Sequence, residues 1–170
     1  CFESHIAARI KSLQSARQTL RKLQSSHSIE WTSKNIKDYL SDSARQYSLL
    51  IDDLPRGESL LETRLADGTL VKLKILISDD GVRFDFTGSE DSQKMAMTDA
   101  ATLGACTGAI LSLFRKSTPI NSGLFQSIEV IAPEDTLVNS KFPKPVYQGM
   151  TDGTRTIAEL VSKSIASVDD

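Results

Sequence analysis

Between residues 58 and 87 apolar and polar side chains alternate with a period of two, which fixes three strands and most of their register. Val71, Leu73, Ile75 and Ile77 fall on one face, and Val82, Phe84 and Phe86 continue it. Lys72, Lys74, Arg83 and Asp85 point the other way. A two-residue Asp67-Gly68 loop between the first two strands would turn Glu62 and Arg64 onto the apolar face. A one-residue slip inverts a whole strand, so the burial pattern demands a three-residue loop, Ala66-Asp67-Gly68, with Gly68 left-handed. That loop pairs Leu61 with Leu73 and Thr63 with Val71. Asp80-Gly81 reads as a type I′ turn, pairing Ile77 with Phe84 and Ile75 with Phe86. An antiparallel β-meander is the expected result.

Around it the period changes to that of helices. Phe2, Ile6, Ile10, Leu13, Leu20 and Leu23 share one face of a helix over 3–25, with Arg9, Lys11, Arg17, Arg21 and Lys22 mostly around the rest. Ser25-Ser26-His27-Ser28 breaks the pattern. A second helix, capped by Thr32 or Ser33, turns Ile36, Tyr39, Leu40, Tyr47 and Leu50 inward and stops before Pro55-Arg56-Gly57. The two form a helical hairpin over 1–54. A helix over 98–115, capped by Thr98 or Asp99, carries Ala101, Gly104, Ala105, Gly108 and Ala109 on one face. Gly104 and Gly108 each cost about 1 kcal/mol relative to Ala, so close approach of another backbone is expected there. A strand over 126–132 and a helix over 154–168, with Ile157, Leu160, Val161, Ile165 and Val168 on one side, complete the chain. The expected fold is a single α+β domain, 1–170, with the hairpin followed by an α+β core over 58–170.

Composition narrows the function. A net charge of −2 over 170 residues gives no electrostatic basis for binding nucleic acid. The fully apolar runs are only a few residues long, so no membrane span is expected. Two cysteines, Cys1 and Cys106, make neither a disulfide framework nor a zinc spacing, and a reduced, cytoplasmic setting is expected. Cys1 reads as an N-terminal nucleophile, as the lipidated first residue of a lipoprotein, or as the point where a longer chain was cut. The helical pattern that begins at once favours the last.

Three turns carry candidate chemistry, two of them with a structural reading beside it. In Asp85-Phe86-Thr87-Gly88-Ser89, alternation sends Asp85 and Thr87 away from the core, and Gly88 frees amides that suit an anion or carbonyl oxygen. The plainer reading is a strand end whose hydroxyls satisfy their own turn. Asn121-Ser122-Gly123, between Pro119 and Leu124, is a Pro-led turn in which Asn caps the backbone, or a substrate-facing one. Gly149-Met150-Thr151-Asp152-Gly153-Thr154-Arg155 opens the last helix, where free amides and Arg155 suit an anion. Pro143 and Pro145 hold an extended segment around Lys144. His5 and His27 belong to no ligand pattern, and Cys106 reads as a packing residue.

The stretch PINSGLFQSIEVIAPEDTLVNSKFPKPV at 119–146, following DFTGS at 85–89 with one helix between, resembles the C-terminal part of the hydantoinase B/5-oxoprolinase family. That resemblance implies part of a subunit of an ATP-dependent enzyme that hydrolyses cyclic amides of the 5-oxoproline or hydantoin type, or carboxylates a related substrate as acetone and acetophenone carboxylases do. It implies a hydantoinase A-like ATP-binding partner and the remaining part of the same subunit. ATP and a divalent metal belong to the complete enzyme; none is expected on this segment, since the family's metal-binding residues lie earlier. Asp85, Thr87, Gly88, Asn121, Gly123 and Arg155 become substrate-binding candidates, with the 85–89 and 119–123 corners expected side by side and the chain inactive alone. Met150 stands where the family typically has Asn, and Met97 or Thr98 where another Asn is usual. These departures leave a non-catalytic assembly domain as the alternative.

Overall fold

The buried positions of the meander are those that the alternation marks. In the computed structural model, which describes residues 2–114 and 120–168, β1 (Gly57–Arg64) pairs antiparallel with β2 (Leu70–Ser78), and β2 with β3 (Gly81–Asp85). Leu61 faces Leu73 and Thr63 faces Val71. Gly68 has φ +86, and Leu65 and Thr69 close the three-residue loop, the Leu65 amide donating to the Thr69 carbonyl at 3.0 Å. The second turn is corrected by two residues. Ile77 pairs with Val82 and Ile75 with Phe84, so the loop is Asp79-Asp80 and Gly81 is already strand. An even slip leaves every side chain on its face. Gly81 is needed for a different reason from the expected one: at φ +123, a Cβ there would lie 2.3 Å from the Ser127 carbonyl oxygen.

That contact brings in the fourth strand. β4 (Ile128–Ile131) lies parallel to β3, Val82 opposite Ile128 and Asp85 opposite Ile131, giving a mixed sheet of order β1-β2-β3-β4. Parallel neighbours need a crossover, and the helix α3 (Asp99–Leu113) supplies it. Thr98 caps α3, its hydroxyl accepting from the Ala101 amide at 3.2 Å. The last helix, α4 (Thr154–Ala166), follows a π-helical turn at Gly149–Gly153, packs against β1, β2 and α3, and buries Ile157, Leu160, Val161 and Ile165. The α+β architecture of the sequence reading holds.

The N-terminal helices are α1 (Phe2–Ser26) and α2 (Ile29–Asp52), the latter capped by Ser28, which accepts from the Trp31 amide at 3.1 Å, and not by Thr32 or Ser33. The chain divides into two compact units, Cys1–Asp42 and Ser43–Asp170. In the second, Tyr47 and Ile51 of α2 join the core. In the first, among the described residues, the apolar stripes are not closed on one another: Ile6, Ile10, Leu13, Leu20, Leu23, Ile36 and Tyr39 are all exposed. Cys1 and Pro119 lie outside the described residues, as does the side chain of Phe2.

Gly104 and Gly108 also differ from expectation. Both are exposed, and a Cβ at either would meet nothing within 4 Å, so no described backbone in this chain uses the space. Replacing Gly104 or Gly108 with Ala is expected to stabilise the isolated chain by about 1 kcal/mol each in urea unfolding. Gly81→Ala, facing both positive φ and the Ser127 oxygen, is expected to cost roughly 1–3 kcal/mol in the same measurement.

Candidate functional site

The corner after β3 satisfies itself. The Asp85 carboxylate accepts from the Thr87 amide at 2.8 Å, and the Ser89 amide donates to the Phe86 carbonyl at 3.0 Å. Ser89 is buried and replaces a strand neighbour: its hydroxyl accepts from the Lys72 amide and donates to the Lys72 carbonyl, at 3.0 and 3.1 Å. Glu90 continues the substitution, its carboxylate accepting from the Leu70 amide at 2.8 Å. Thr87 and Gly88 stay exposed and Asp85 half-buried at the tip. Their geometry is that of an Asx turn presented to solvent.

Asn121 is also a cap. Its side-chain oxygen accepts from the Gly123 amide at 2.9 Å, opening the short 3₁₀ turn Ser122–Gln126, and its amide donates to the Ser43 hydroxyl of α2 at 2.8 Å. Gly123 is buried. The two corners are not side by side. β4 runs parallel to β3, so the residues preceding β4 lie at the Val82 end of the sheet and the Asp85-Thr87-Gly88 corner lies at the other. Near Val82 an open cleft of about 600 Å³ is lined by the β2–β3 hairpin, Phe125 and the Arg83–Glu129 ion pair, 2.5 Å apart.

The structure instead joins the 85–97 segment to the chain after β4. The Leu137 amide donates to the Glu90 carbonyl at 3.0 Å, the Met97 amide to the Leu137 carbonyl at 2.7 Å, and the Ser140 amide to the Met97 carbonyl at 2.8 Å. The Thr102 hydroxyl of α3 donates to the Val138 carbonyl at 2.6 Å, and the Asn139 side chain to the Ala132 carbonyl at 2.8 Å. Asp67, in the β1–β2 loop, accepts from the Thr69 amide and the Ser92 hydroxyl, each at 3.0 Å. Bonding to Thr69, first of all, holds its carboxyl below the ordinary aspartate range. Sequence reasoning passed over Asp67 and Ser92; Asp-Gly in a loop reads only as turn chemistry, and their pairing spans 25 residues.

The π-helical turn rests on this brace. A Cβ on Gly149 would lie 2.0 Å from the Ala96 carbonyl oxygen, so only glycine fits. Its amides are not free for an anion: Met150 donates to Val146, Thr151 to Gln148, and Thr154 to Gly149 and Thr151. Arg155 is 74% exposed with Glu159 4.0 Å away. Lys144 pairs with Asp91, and the segment around it is a turn and not extended: the Lys144 amide donates to the Lys141 carbonyl at 3.2 Å, and the Phe142–Pro143 bond is cis. Phe142, Tyr147 and Met150 stand exposed on the same stretch. Among the described residues no three His, Cys, Asp or Glu side chains come together as a metal site. No described helix is long and apolar enough to cross a membrane.

Comparison with known proteins gives the same fold and a family. The family model for hydantoinase B/oxoprolinase matches residues 2–170. The B subunit of a putative D-/L-hydantoinase from a Pseudomonas species (strain NS671) is 30% identical over 138 residues, covering 69% of this chain and 23% of that protein. An uncharacterised protein of Methanocaldococcus jannaschii is 28% identical over 97 residues, 56% of this chain and 17% of its own. The crystal structure of ATP-dependent caprolactamase from Pseudomonas jessenii superposes with a TM-score of 0.82 at 19% identity, over 96% of this chain and 30% of that one. This chain therefore spans less than a third of each of these proteins.

Cys106 tests the packing of α3. Burial pushes its thiol up to about 12 from an ordinary 9.0. The folded state therefore keeps a proton that the unfolded chain releases above about pH 9, so stability present below that pH falls as pH rises through the window from 9 to 12. A loss of about 1 kcal/mol per pH unit is expected there from this thiol, and Cys106→Ala should remove that contribution to the slope in chemical unfolding at about pH 8 to 11. Asn121→Ala, which removes both the cap and the bond to Ser43, is expected to cost about 1–2 kcal/mol at neutral pH.

Proposed function

The chain belongs to the hydantoinase B/oxoprolinase family, and from that premise we propose that it forms part of a subunit of an ATP-dependent enzyme that opens cyclic amides. The match along the whole of residues 2–170 carries this reading, together with a fold shared with an ATP-dependent caprolactamase. A ring amide is a poor electrophile. ATP, bound by a hydantoinase A-like companion, supplies activation of the amide oxygen, and the activated ring then needs a second site from which bulk water is excluded.

This segment's part is to present surface to that site. The exposed tip Asp85-Thr87-Gly88 is the favoured wall, since its backbone is locked by the Asx turn and by Ser89. Asn121 and Gly123, at the other end of β3, serve the shape of the lead-in to β4, and Arg155 offers an exposed cation at the head of α4. ATP and the divalent metal are assigned to the rest of the enzyme.

A second reading, that of an assembly domain without chemistry of its own, is favoured by one observation: the candidate turns spend hydrogen-bonding groups on their own backbone and on neighbouring elements of the fold. The two readings separate in the complete enzyme. If the tip faces substrate, Asp85→Ala is expected to lower turnover roughly a hundredfold while assembly of the enzyme, followed by gel filtration, is unchanged. Loss of association without a change in turnover per assembled enzyme would leave only the assembly role. The isolated 170-residue chain is expected to release no product from 5-oxoproline or a hydantoin with ATP; measurable turnover would overturn the proposal.

A further inference from the structure

The helix α1 has an apolar face that nothing in its own unit covers. Every described side chain from Glu3 to Ser26 is exposed, and Leu13, at the centre of the stripe, is 72% exposed. At 25 residues the helix is about 37 Å long, far more than an isolated surface leucine needs. The stripe is Ile6, Ile10, Leu13, Leu20 and Leu23, interrupted by Arg17, and has the width of a coiled-coil seam and not of a broad interfacial face. Arg9 and Arg17 stand on it, each four residues from Leu13 and therefore on the same side. Apart from Glu3 every ionised side chain of α1 is basic, and Arg9, Arg17 and Arg21 make no ion pair among the described residues.

These features select an occupant. A second copy of α1 would bring Arg9 and Arg17 against the same charges. A bilayer would take two arginines into the centre of the buried arc. A helix with its own narrow apolar seam and carboxylates at matching positions meets both requirements, because arginine pairs bidentately with carboxylate. The Pseudomonas hydantoinase B subunit is covered by this chain over only 23% of its length, so a polypeptide of that kind has ample further length to supply it. We propose that the α1 face, centred on Leu13 between Arg9 and Arg17, is a docking seam for an acidic amphipathic helix from the remainder of the hydantoinase B-type polypeptide. This inference rests on the reading of the chain as one segment of a larger enzyme.

Two experiments test chemistry and source. In the first, the 170-residue chain is titrated with two synthetic helical peptides, each of about 25 residues and sharing one leucine seam, one flanked by Glu and the other by Lys. The Glu peptide is expected to bind at least about tenfold tighter in fluorescence anisotropy. Arg9→Glu with Arg17→Glu should reverse the order, and Leu13→Asp should weaken both without changing the helical circular dichroism. Equal binding of the two peptides, binding of neither, preference for phosphatidylcholine–phosphatidylglycerol vesicles, or a concentration-dependent dimer that Leu13→Asp abolishes would each overturn it. In the second, a photocrosslinker on Leu13→Cys in the complete enzyme is mapped by mass spectrometry. An adduct within an acidic helix of the same polypeptide is expected; one on the ATP-binding companion, on a second copy, or none at all overturns the assignment. Turnover by the same preparation shows independently whether the enzymatic reading stands.

Discussion

The parallel pairing of β3 with β4 is the constraint on which the rest of the second unit depends. It requires the backbone of Gly81 to lie against Ser127, a contact that leaves no room for a Cβ. It also requires a crossover, which α3 fills, and the crossover in turn gives α4 something to pack on beside the sheet. A strand, a helix and a parallel strand return the chain to the end from which it started. The turn leaving β3 and the turn entering β4 must then stand at opposite ends of the sheet. Proximity along the motif is thus converted into separation in space.

What the fold does bring together is the segment after β3 and the segment after β4, since both leave the sheet at the same end. The Leu137 amide donates to Glu90, the Met97 amide to Leu137 and the Ser140 amide to Met97, Thr102 reaches Val138 from α3, and Asn139 ties back to Ala132. Gly149 then seats the π-helical turn on Ala96. Leu137, Val138, Asn139 and Ser140, within the stretch that carries the resemblance, therefore act as braces. Their specificity reflects how many backbone groups must be satisfied where three irregular segments meet out of reach of any regular ladder. Met97 fits this account: its side chain is fully buried under the turn. The exposed groups beside this brace are Thr87, Phe142, Tyr147 and Met150, with half-buried Asp85.

Much of this was legible in advance. Alternation at 71–86 marked the buried face, and the need to turn Leu61 and Thr63 inward chose the three-residue loop. The 3.6-residue period marked all four α-helices to within a few residues, although Ser28 and not Thr32 caps α2. The turn at Asp79-Asp80 was misplaced because Asp-Gly is a strong local signal for a hairpin, while the demand on Gly81 comes from Ser127, at the entry to a strand far along the chain. The two glycines of α3 misled in the opposite sense: their cost implies a neighbour, and no described part of this chain supplies one.

The amino-acid sequence by itself determined which residues are strand and which are helix and, in the sheet and in α4, which side faces inward, because those follow from local periodicity and the cost of burying charge. Only the tertiary structure decided which ends of those elements meet. That outcome depends on the direction in which β4 adds to the sheet, and direction is settled by contacts such as Gly81 with Ser127 and Met97 with Leu137, which no local pattern encodes.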